Sequence, residues 1–174
     1  MSPNQPIIKQ LLLGPMNNFV YVIGDPETKK GAIVDPAWNI PKIIDTIHKS
    51  KLSISAILLT HGHPDHTNGL DEITTFYNNI PIYISKYEHT IYKPKDVDLT
   101  EVDDKAIITI GNLTLSCLHT PGHSSGGQCF LLNQHLLTGD TLFIDGCGHC
   151  KLPSADPNIY YNSIQKIRSE EHTS

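Results

Sequence analysis

The feature that most constrains the fold is a continuous apolar run at residues 56–59, followed at once by a histidine-rich segment at residues 60–66. That segment reads Thr-His-Gly-His-Pro-Asp-His. A short apolar run without alternation is typical of a strand that is buried on both faces. The histidine-rich segment therefore leaves a rigid strand, which favours a built binding site over a histidine-rich surface loop.

The spacing of the polar side chains in this segment predicts metal binding. His61 and His63 are two positions apart, so on an extended segment they point the same way and can meet one ion. Asp65 and His66 are adjacent, so they diverge and can serve a second ion. Three imidazoles and a carboxylate are costly to bury without partners. Such nitrogen and oxygen ligands suit zinc, with iron or manganese as alternatives.

Two later segments each place one further ligand type after a predicted strand. His123 follows a Pro-Gly turn in residues 118–124, and Asp140 follows a strand in residues 137–141. Taken singly, a histidine after a turn is more often structural, and an aspartate at a strand end is more often a cap. Their joint occurrence, in this order after the first segment, indicates one composite site.

Apolar periodicity and turn residues predict alternating groups of strands and helices. Strands are expected at residues 7–13, 19–23, 31–34, 56–59, 81–84, 107–110, 113–117, 128–132 and 135–137, and helices from Pro41, at 68–77 and from Asp156. In the first helix, isoleucines at positions 40, 43, 44 and 47 form one apolar stripe. Gly111-Asn112 is a two-residue hairpin signal. This order predicts two sheets between helices, an α/β (layered α+β) fold in one domain.

Length and charge limit the class of protein. A chain of 174 residues suits one domain, and a formal net charge of −5 gives no indication of a nucleic-acid partner. The N-terminus has no basic region followed by a long apolar stretch, and the longest apolar runs are of strand length. We therefore expect a cytoplasmic protein with a small-molecule substrate and no nucleic-acid or membrane partner. The oligomeric state stays open.

The motifs resemble those of the metallo-β-lactamase superfamily, in the branch of glyoxalase II (hydroxyacylglutathione hydrolase). Residues 60–66, 120–123 and 138–141 carry the resemblance, which covers residues 7–168. It implies an αββα sandwich with two zinc ions at one edge of the sheets. The implied ligands are His61, His63 and His123 for the first ion and Asp65 and His66 for the second, with Asp140 bridging both.

The resemblance also implies a hydrolase. Two cations about 4 Å apart can share one water and lower its pKa towards 7, so that hydroxide is available at neutral pH. That hydroxide would attack the carbonyl of a thioester or another ester-like small substrate. Asp65 and Asp140 are the expected catalytic residues, Asp65 by orienting the water or taking its proton.

A segment at residues 146–151, Gly-Cys-Gly-His-Cys-Lys, admits two interpretations. Cys147 and Cys150 form a C-x-x-C pattern, yet no helix opens at the first cysteine as in redox proteins. In the family this position is a substrate-side loop, which implies that Cys147, His149 and Lys151 contact the substrate. His149 stands where a basic residue commonly follows Gly-Cys-Gly, a departure that weakens the expectation of glutathione thioester recognition.

The C-terminal end also departs from the family pattern, which adds a histidine ligand after a further strand. The last histidine here is His172, within residues 168–174. We expect a domain over residues 1–168 that is truncated, without its last strand or helix. Residues 169–174 are then expected to form a non-native or disordered tail; a short natural variant is the alternative.

Two other functions remain open beside the two-metal hydrolase. One is a persulfide dioxygenase-type oxidoreductase, with a single iron held by His61, His123 and Asp140. The other is a truncated, inactive domain whose second metal site is incomplete. Metal identity and oxygen consumption separate the first of these from the hydrolase.

Overall fold

The computed structural model describes residues 5–88 and 97–171, with side chains described up to residue 168. Its strands are β1 (Ile7–Leu13), β2 (Asn18–Gly24), β3 (Lys30–Val34), β4 (Ser53–Leu58), β5 (Ile82–Ser85), β6 (Leu99–Val102), β7 (Ile107–Ile110), β8 (Leu113–His119), β9 (Gln128–Leu132) and β10 (His135–Leu137). Its helices are α1 (Ile40–Ser50), α2 (Pro64–Thr67), α3 (Leu70–Phe76) and α4 (Pro157–Glu171), and a 3₁₀ turn spans Gly139–Thr141. Within the described residues, no helix is long and apolar enough to cross a membrane.

The strands form two sheets. The first sheet has six strands in the order β1-β2-β3-β4-β5-β6, and the second has four in the order β10-β9-β8-β7. The first three strands of the larger sheet pair antiparallel, whereas β3 to β6 pair parallel. The smaller sheet is antiparallel throughout. The predicted hairpin at Gly111-Asn112 joins β7 to β8, and the φ of 62° at Gly111 suits a residue without a Cβ.

Three apolar layers hold the sheets and helices together. The first lies between the larger sheet and helices α1 and α3, where Ile43 is fully buried. The second fills the space between the two sheets and includes Leu58 and Phe130. The third lies between the smaller sheet and α4, where Ile167 is 1% exposed. Two sheets between helices confirm the predicted αββα sandwich.

The segments that follow several of the strands lie together at one edge of the sandwich. Because β3, β4 and β5 run parallel, the residues after them lie at the same edge. The start of β9 lies there too, since the Gln128 N–H donates to the Thr60 carbonyl oxygen at 2.9 Å. Strands β8 and β10 run antiparallel to β9, so the residues after them also reach this edge. We call this the site edge; it carries residues 60–66, 120–127 and 138–141.

The structure differs from the sequence prediction at two elements. The helix predicted at residues 68–77 is shorter and spans Leu70–Phe76, with α2 as a separate turn before it. The break falls at Gly69, whose N–H donates to the Pro36 carbonyl oxygen at 3.2 Å instead of continuing α2. Strand β6 is absent from the prediction, because its two central residues are polar and exposed and give no apolar pattern.

The C-terminal expectations stay predictions. Helix α4 begins at Pro157, as its Asp-Pro start predicts, and ends at Glu171. Residues 172–174, including His172, lie outside the described residues. Helix α4 includes residues 169–171, and the expected non-native or disordered tail at residues 169–174 stays a prediction.

Candidate metal centre

Residues 60–66 leave β4 as an extended segment and then enter α2. His61 and His63 lie on the extended part, where His63 has a φ of −65° and a ψ of 146°, and Pro64 begins the helix. Asp65 and His66 therefore lie in the first turn of α2. The three histidines are buried, with His61 and His66 2% exposed and His63 8% exposed. The buried strand and the short helix thus direct three imidazoles to one place.

Two glycine turns bring His123 and Asp140 to the same place. His123 follows Gly122, which has a φ of 135° and packs so closely on α4 that a Cβ would lie 2.3 Å from the Tyr160 Cα. Asp140 lies in the 3₁₀ turn and follows Gly139, which has a φ of 50°. Positive φ is readily adopted only by glycine. These turns explain why both side chains can point from sharp bends into the site edge.

The described side chains form two groups of convergent donor atoms, His61 with His63 and His123, and His61 with His66 and Asp140. Within each group, the donor atoms lie within 4.8 Å of one another. The Nδ1 of His63 is 2.9 Å from the Nε2 of His123, and the Nε2 of His66 is 3.1 Å from Oδ1 of Asp140. The other oxygen of Asp140, Oδ2, lies 3.3 Å from the Nε2 of His123. The Asp140 carboxylate therefore faces both groups, as a bridging ligand must.

The surroundings of the His61 Nε2 atom indicate whether these residues fit a metal. Among the described side chains, this atom is buried and has no hydrogen-bond partner. A buried polar atom left unpaired costs about 1–3 kcal/mol. A metal ion where the two groups meet would satisfy it, and donor sets of nitrogen and oxygen suit zinc. The side chains therefore fit a metal centre.

The protonation states of His61 and His63 also fit a metal centre. Burial lowers the pKa of His61 well below its usual value, and the neighbouring imidazoles lower it further. Burial likewise lowers the pKa of His63. Both rings are therefore neutral at pH 7, the form that binds metals. Burial alone would lower the pKa of His66, but hydrogen bonds with Asp140 and Asp35 raise it to about 10. These carboxylates therefore favour the protonated form of His66 in the metal-free protein, and a metal ion bound at its Nε2 would have to displace that proton.

Asp35 supports His66 from the side away from the metal groups. It follows β3 and is 1% exposed. Its Oδ1 accepts the Thr60 N–H at 2.7 Å, and its Oδ2 accepts the Thr60 hydroxyl at 2.6 Å and lies 3.0 Å from Nδ1 of His66. A carboxylate on Nδ1 leaves Nε2 to face the site, as in histidine ligands generally. Asp35 is missing from the residues predicted from sequence; the available signal is an aspartate directly after a buried strand.

Asn18, the first residue of β2, reaches the site from the larger sheet. Its Nδ2 donates to Oδ2 of Asp65 at 2.8 Å and lies 2.9 Å from Nε2 of His66. Asp65 Oδ2 is 3.5 Å from Nε2 of His66, so Asp65 lies beside the second group without belonging to either group. Its expected role as a ligand stays a prediction. No sequence pattern singles out Asn18, because its position depends on where β2 begins.

The loop at residues 146–151 lies over His123. The Nδ1 of His123 donates to the His149 carbonyl oxygen at 2.8 Å, which leaves Nε2 to face the site. A Cβ at Gly148 would lie 2.7 Å from that Nδ1, so glycine permits the close approach. The side chains of Cys147, His149 and Lys151 are exposed. Their expected contact with a substrate stays a prediction.

His119 belongs to a neighbouring network and to neither group of donor atoms. Its ring stacks on Tyr87 with a centroid distance of 4.4 Å. Its Nε2 lies 3.1 Å from the Ser125 carbonyl oxygen, and its own carbonyl oxygen accepts a hydrogen bond from Lys166 of α4 at 2.9 Å. The His119 backbone therefore connects α4 to the site edge through the hydrogen bond from Lys166.

Comparison with known proteins identifies the family. The profile of the metallo-beta-lactamase superfamily matches residues 13–171. The chain therefore belongs to the metallo-β-lactamase superfamily, as its motifs predict. The crystal structure of BLEG-1 B3 metallo-β-lactamase superimposes with a TM-score of 0.78 at 31% identity, covering 91% of this chain and 84% of that one.

Two curated relatives are named as hydrolases. One is "Probable polyketide biosynthesis zinc-dependent hydrolase PksB" of Bacillus subtilis (strain 168), 39% identical over 153 residues, or 88% of this chain and 68% of that protein. The other is hydroxyacylglutathione hydrolase of Francisella tularensis subsp. novicida (strain U112), 35% identical over 163 residues, or 92% of this chain. The matched region spans 62% of the second protein's length.

Proposed function

We propose that the protein is a metal-dependent hydrolase that cleaves a thioester or another ester-like small substrate. The observation that carries this proposal is the buried, unpaired Nε2 of His61 within the described residues. That residue belongs to both groups of convergent donor atoms, which Asp140 connects. Membership of the superfamily and the names of two hydrolase relatives support hydrolysis as the reaction.

Six side chains would hold the metal, namely His61, His63, Asp65, His66, His123 and Asp140. Two ions are proposed, because the donor atoms form two groups and Asp140 presents one oxygen to each. Zinc is the proposed metal, since imidazole and carboxylate ligands suit it and PksB is named as zinc-dependent. When bound, such a centre acidifies a water molecule and polarises a substrate carbonyl.

Asp65 and Asp140 are the proposed catalytic side chains. Their side chains are 19% and 22% exposed, whereas the neighbouring His66 side chain is 3% exposed. The carboxylates therefore face the side from which a substrate would approach. Asn18 holds Oδ2 of Asp65 with its Nδ2, so Oδ1 of Asp65 is the oxygen proposed to orient the water or accept its proton.

The rim of the site is the proposed substrate surface. Cys147, His149 and Lys151 are exposed on the loop that lies over His123, and the His149 and His123 ring centroids are 5.4 Å apart. A substrate carbonyl near Asp140 would bring its acyl or thiol portion against this loop. The Francisella relative's name refers to hydroxyacylglutathione, which is a thioester. We therefore propose thioesters as the first substrates to test.

The test compares metal-free and zinc-loaded protein on a panel of acyl-glutathione, acyl-coenzyme A and acyl-N-acetylcysteamine thioesters, with an aryl acetate as an oxygen ester. Hydrolysis that appears with zinc and disappears in a His61→Ala variant supports the proposal. His135→Ala is the matched control, because His135 is exposed on β10. Stoichiometric metal without hydrolysis of any substrate would contradict it. Oxygen consumption by iron-loaded protein on a persulfide would instead favour the dioxygenase hypothesis.

A further inference from the structure

Glu88 is a buried carboxylate at the site edge that none of the roles above uses. It follows β5 within three residues and is 9% exposed. The segment after His123 packs against the Glu88 backbone, since a Cβ at Gly126 would lie 2.3 Å from the Glu88 backbone nitrogen. Its side chain therefore lies where the segments that carry His63 and His123 meet.

One oxygen of Glu88 binds both of these segments. Its Oε2 accepts the Ser124 hydroxyl at 2.7 Å and the Gly62 N–H at 3.4 Å. Gly62 separates His61 from His63, and Ser124 follows His123 directly. A single carboxylate oxygen thus connects two metal-binding segments that are 60 residues apart at His63 and His123.

This connection joins the segments that carry two members of the first donor group, His63 and His123. Nδ1 of His63 and Nε2 of His123 approach to 2.9 Å, although the two residues belong to separate loops. In the second group, Asp35 fixes His66 through a direct contact of 3.0 Å. The Glu88 carboxylate also acts to raise the pKa of His63, against the lowering by burial, which is consistent with its closeness to that ring.

We propose that Glu88 is a positioning residue of the metal centre, which holds the His63 and His123 loops at binding distance by accepting hydrogen bonds from Gly62 and Ser124. This inference rests on the proposed metal-binding function. Because both bonds end on Oε2, the amide oxygen of a glutamine can accept both. Glu88→Gln should therefore preserve the positioning, whereas Glu88→Ala should abolish it.

The experiment measures zinc affinity by chelator competition and records the visible absorption of the cobalt-loaded forms of the full chain. We expect Glu88→Ala to bind zinc about 10–100-fold more weakly than the unsubstituted protein, as when other groups that orient ligands are lost. Its cobalt spectrum should change as well. The zinc affinity of Ser124→Ala should lie between those of the unsubstituted protein and Glu88→Ala. Glu88→Gln should have the zinc affinity and the cobalt spectrum of the unsubstituted protein. Glu101→Ala and Glu101→Gln are the matched controls, because Glu101 is exposed on β6.

Unchanged zinc affinity and cobalt spectrum in Glu88→Ala would overturn the inference. Equal losses in Glu88→Gln and Glu88→Ala would also overturn it, because the bonds from Gly62 and Ser124, which glutamine can still accept, would then not explain the loss. If Glu88→Ala fails to fold without metal, Ser124→Ala and Glu88→Gln carry the test, since each makes a smaller change. Failure of the unsubstituted chain to bind zinc or cobalt would contradict the proposed function itself. This outcome differs from unchanged zinc binding in Glu88→Ala, so the two failures can be told apart.

Discussion

The two edges of the sandwich each contain a buried aspartate directly after a strand, yet among the residues that the structure describes only one edge has the properties of a site. At the far edge, Asp25 follows β2 and accepts hydrogen bonds from the Glu27 N–H, the Thr28 hydroxyl and the Asn112 N–H at 3.0, 2.6 and 2.7 Å. Asn112 belongs to the β7–β8 turn, so Asp25 ties the larger sheet to the smaller one. At the site edge, Asp35 also engages three polar groups, which belong to Thr60 and His66.

The difference lies in the polar atoms around the two aspartates. In the described part of the chain, the buried side-chain nitrogen and oxygen atoms without a hydrogen-bond partner are Asn18 Oδ1, Trp38 Nε1 and His61 Nε2. Asn18 begins β2 and Trp38 follows β3, so all three lie at the site edge. A buried carboxylate is therefore a poor marker of function by itself, whereas unsatisfied polar atoms beside it are a good one.

The largest effect is expected from His61→Ala, which removes the residue shared by both donor groups. We expect the purified variant to lose most of its zinc by elemental analysis, whereas His135→Ala on the exposed face of β10 should keep it. His66→Ala should retain more metal than His61→Ala, because His61, His63 and His123 remain as one group. Full zinc content in His61→Ala would contradict the assignment of the site.

Asp35→Ala should affect both metal binding and stability. The change leaves Thr60 and the nearly fully buried His66 without their carboxylate partner. Breaking a buried pair of this kind lowers the free energy of unfolding by about 3 kcal/mol, which denaturant titration of the metal-free protein can measure. Zinc affinity should fall as well, since Nε2 of His66 is no longer directed at Asp140. A variant that keeps both properties would show that Asp35 does not support the site.

Asp25→Asn should affect stability without affecting metal binding. Hydrogen bonds from the Thr28 side chain and from backbone N–H groups, against the opposing effect of burial, lower the pKa of Asp25 to about 2. The ionised carboxylate therefore stabilises the fold above its ordinary pKa of about 4, and this contribution disappears as pH falls through 2. Thermal unfolding should show a gap in Tm between wild type and variant that narrows from pH 4 to pH 2. A constant gap, or a change in zinc affinity, would contradict this difference between the edges.

The smallest effect is expected from replacing Cys147 and Cys150 together by serine. Cys147 is exposed, and Sγ of Cys150 makes a contact of 3.5 Å with the Gly122 carbonyl oxygen that a hydroxyl can replace. Burial raises the pKa of Cys150, so its thiol stays protonated and is a weak metal ligand. Zinc content and Tm should match the unsubstituted protein. Loss of metal in the double variant would show that this loop contributes ligands.

The sequence predicts the parts of the site that depend on local spacing. The segment that holds His61, His63 and His66 directly follows an apolar strand. Apolar periodicities and turn residues over a few positions predict the strands and helices, and their order predicts the layers. The sandwich is therefore predictable, as are His123 and Asp140 once their order along the chain is considered. All five converge in the structure.

The remaining parts depend on tertiary placement. Asp35, Asn18 and Glu88 are single polar residues at strand ends or shortly after them, and nothing in the local sequence separates them from caps. Their partners lie 25 or more residues away, as in the Asp35 contact with Thr60. The break at Gly69 has the same origin, because its N–H bonds to Pro36 from another loop. Long-range hydrogen bonds of this kind are visible only in the folded chain.

Histidine ¹⁵N NMR of the metal-free chain during titration with zinc can test whether the unpaired Nε2 of His61 lies at the metal centre. We expect the Nε2 resonance of His61 to shift as zinc binds, and the ring resonances of His63, His66 and His123 to change as well. The resonances of exposed His135 and of His119, which lies outside both donor groups, should stay in place. Zinc binding with an unchanged His61 Nε2 resonance would contradict the claim that this unpaired atom marks the metal centre.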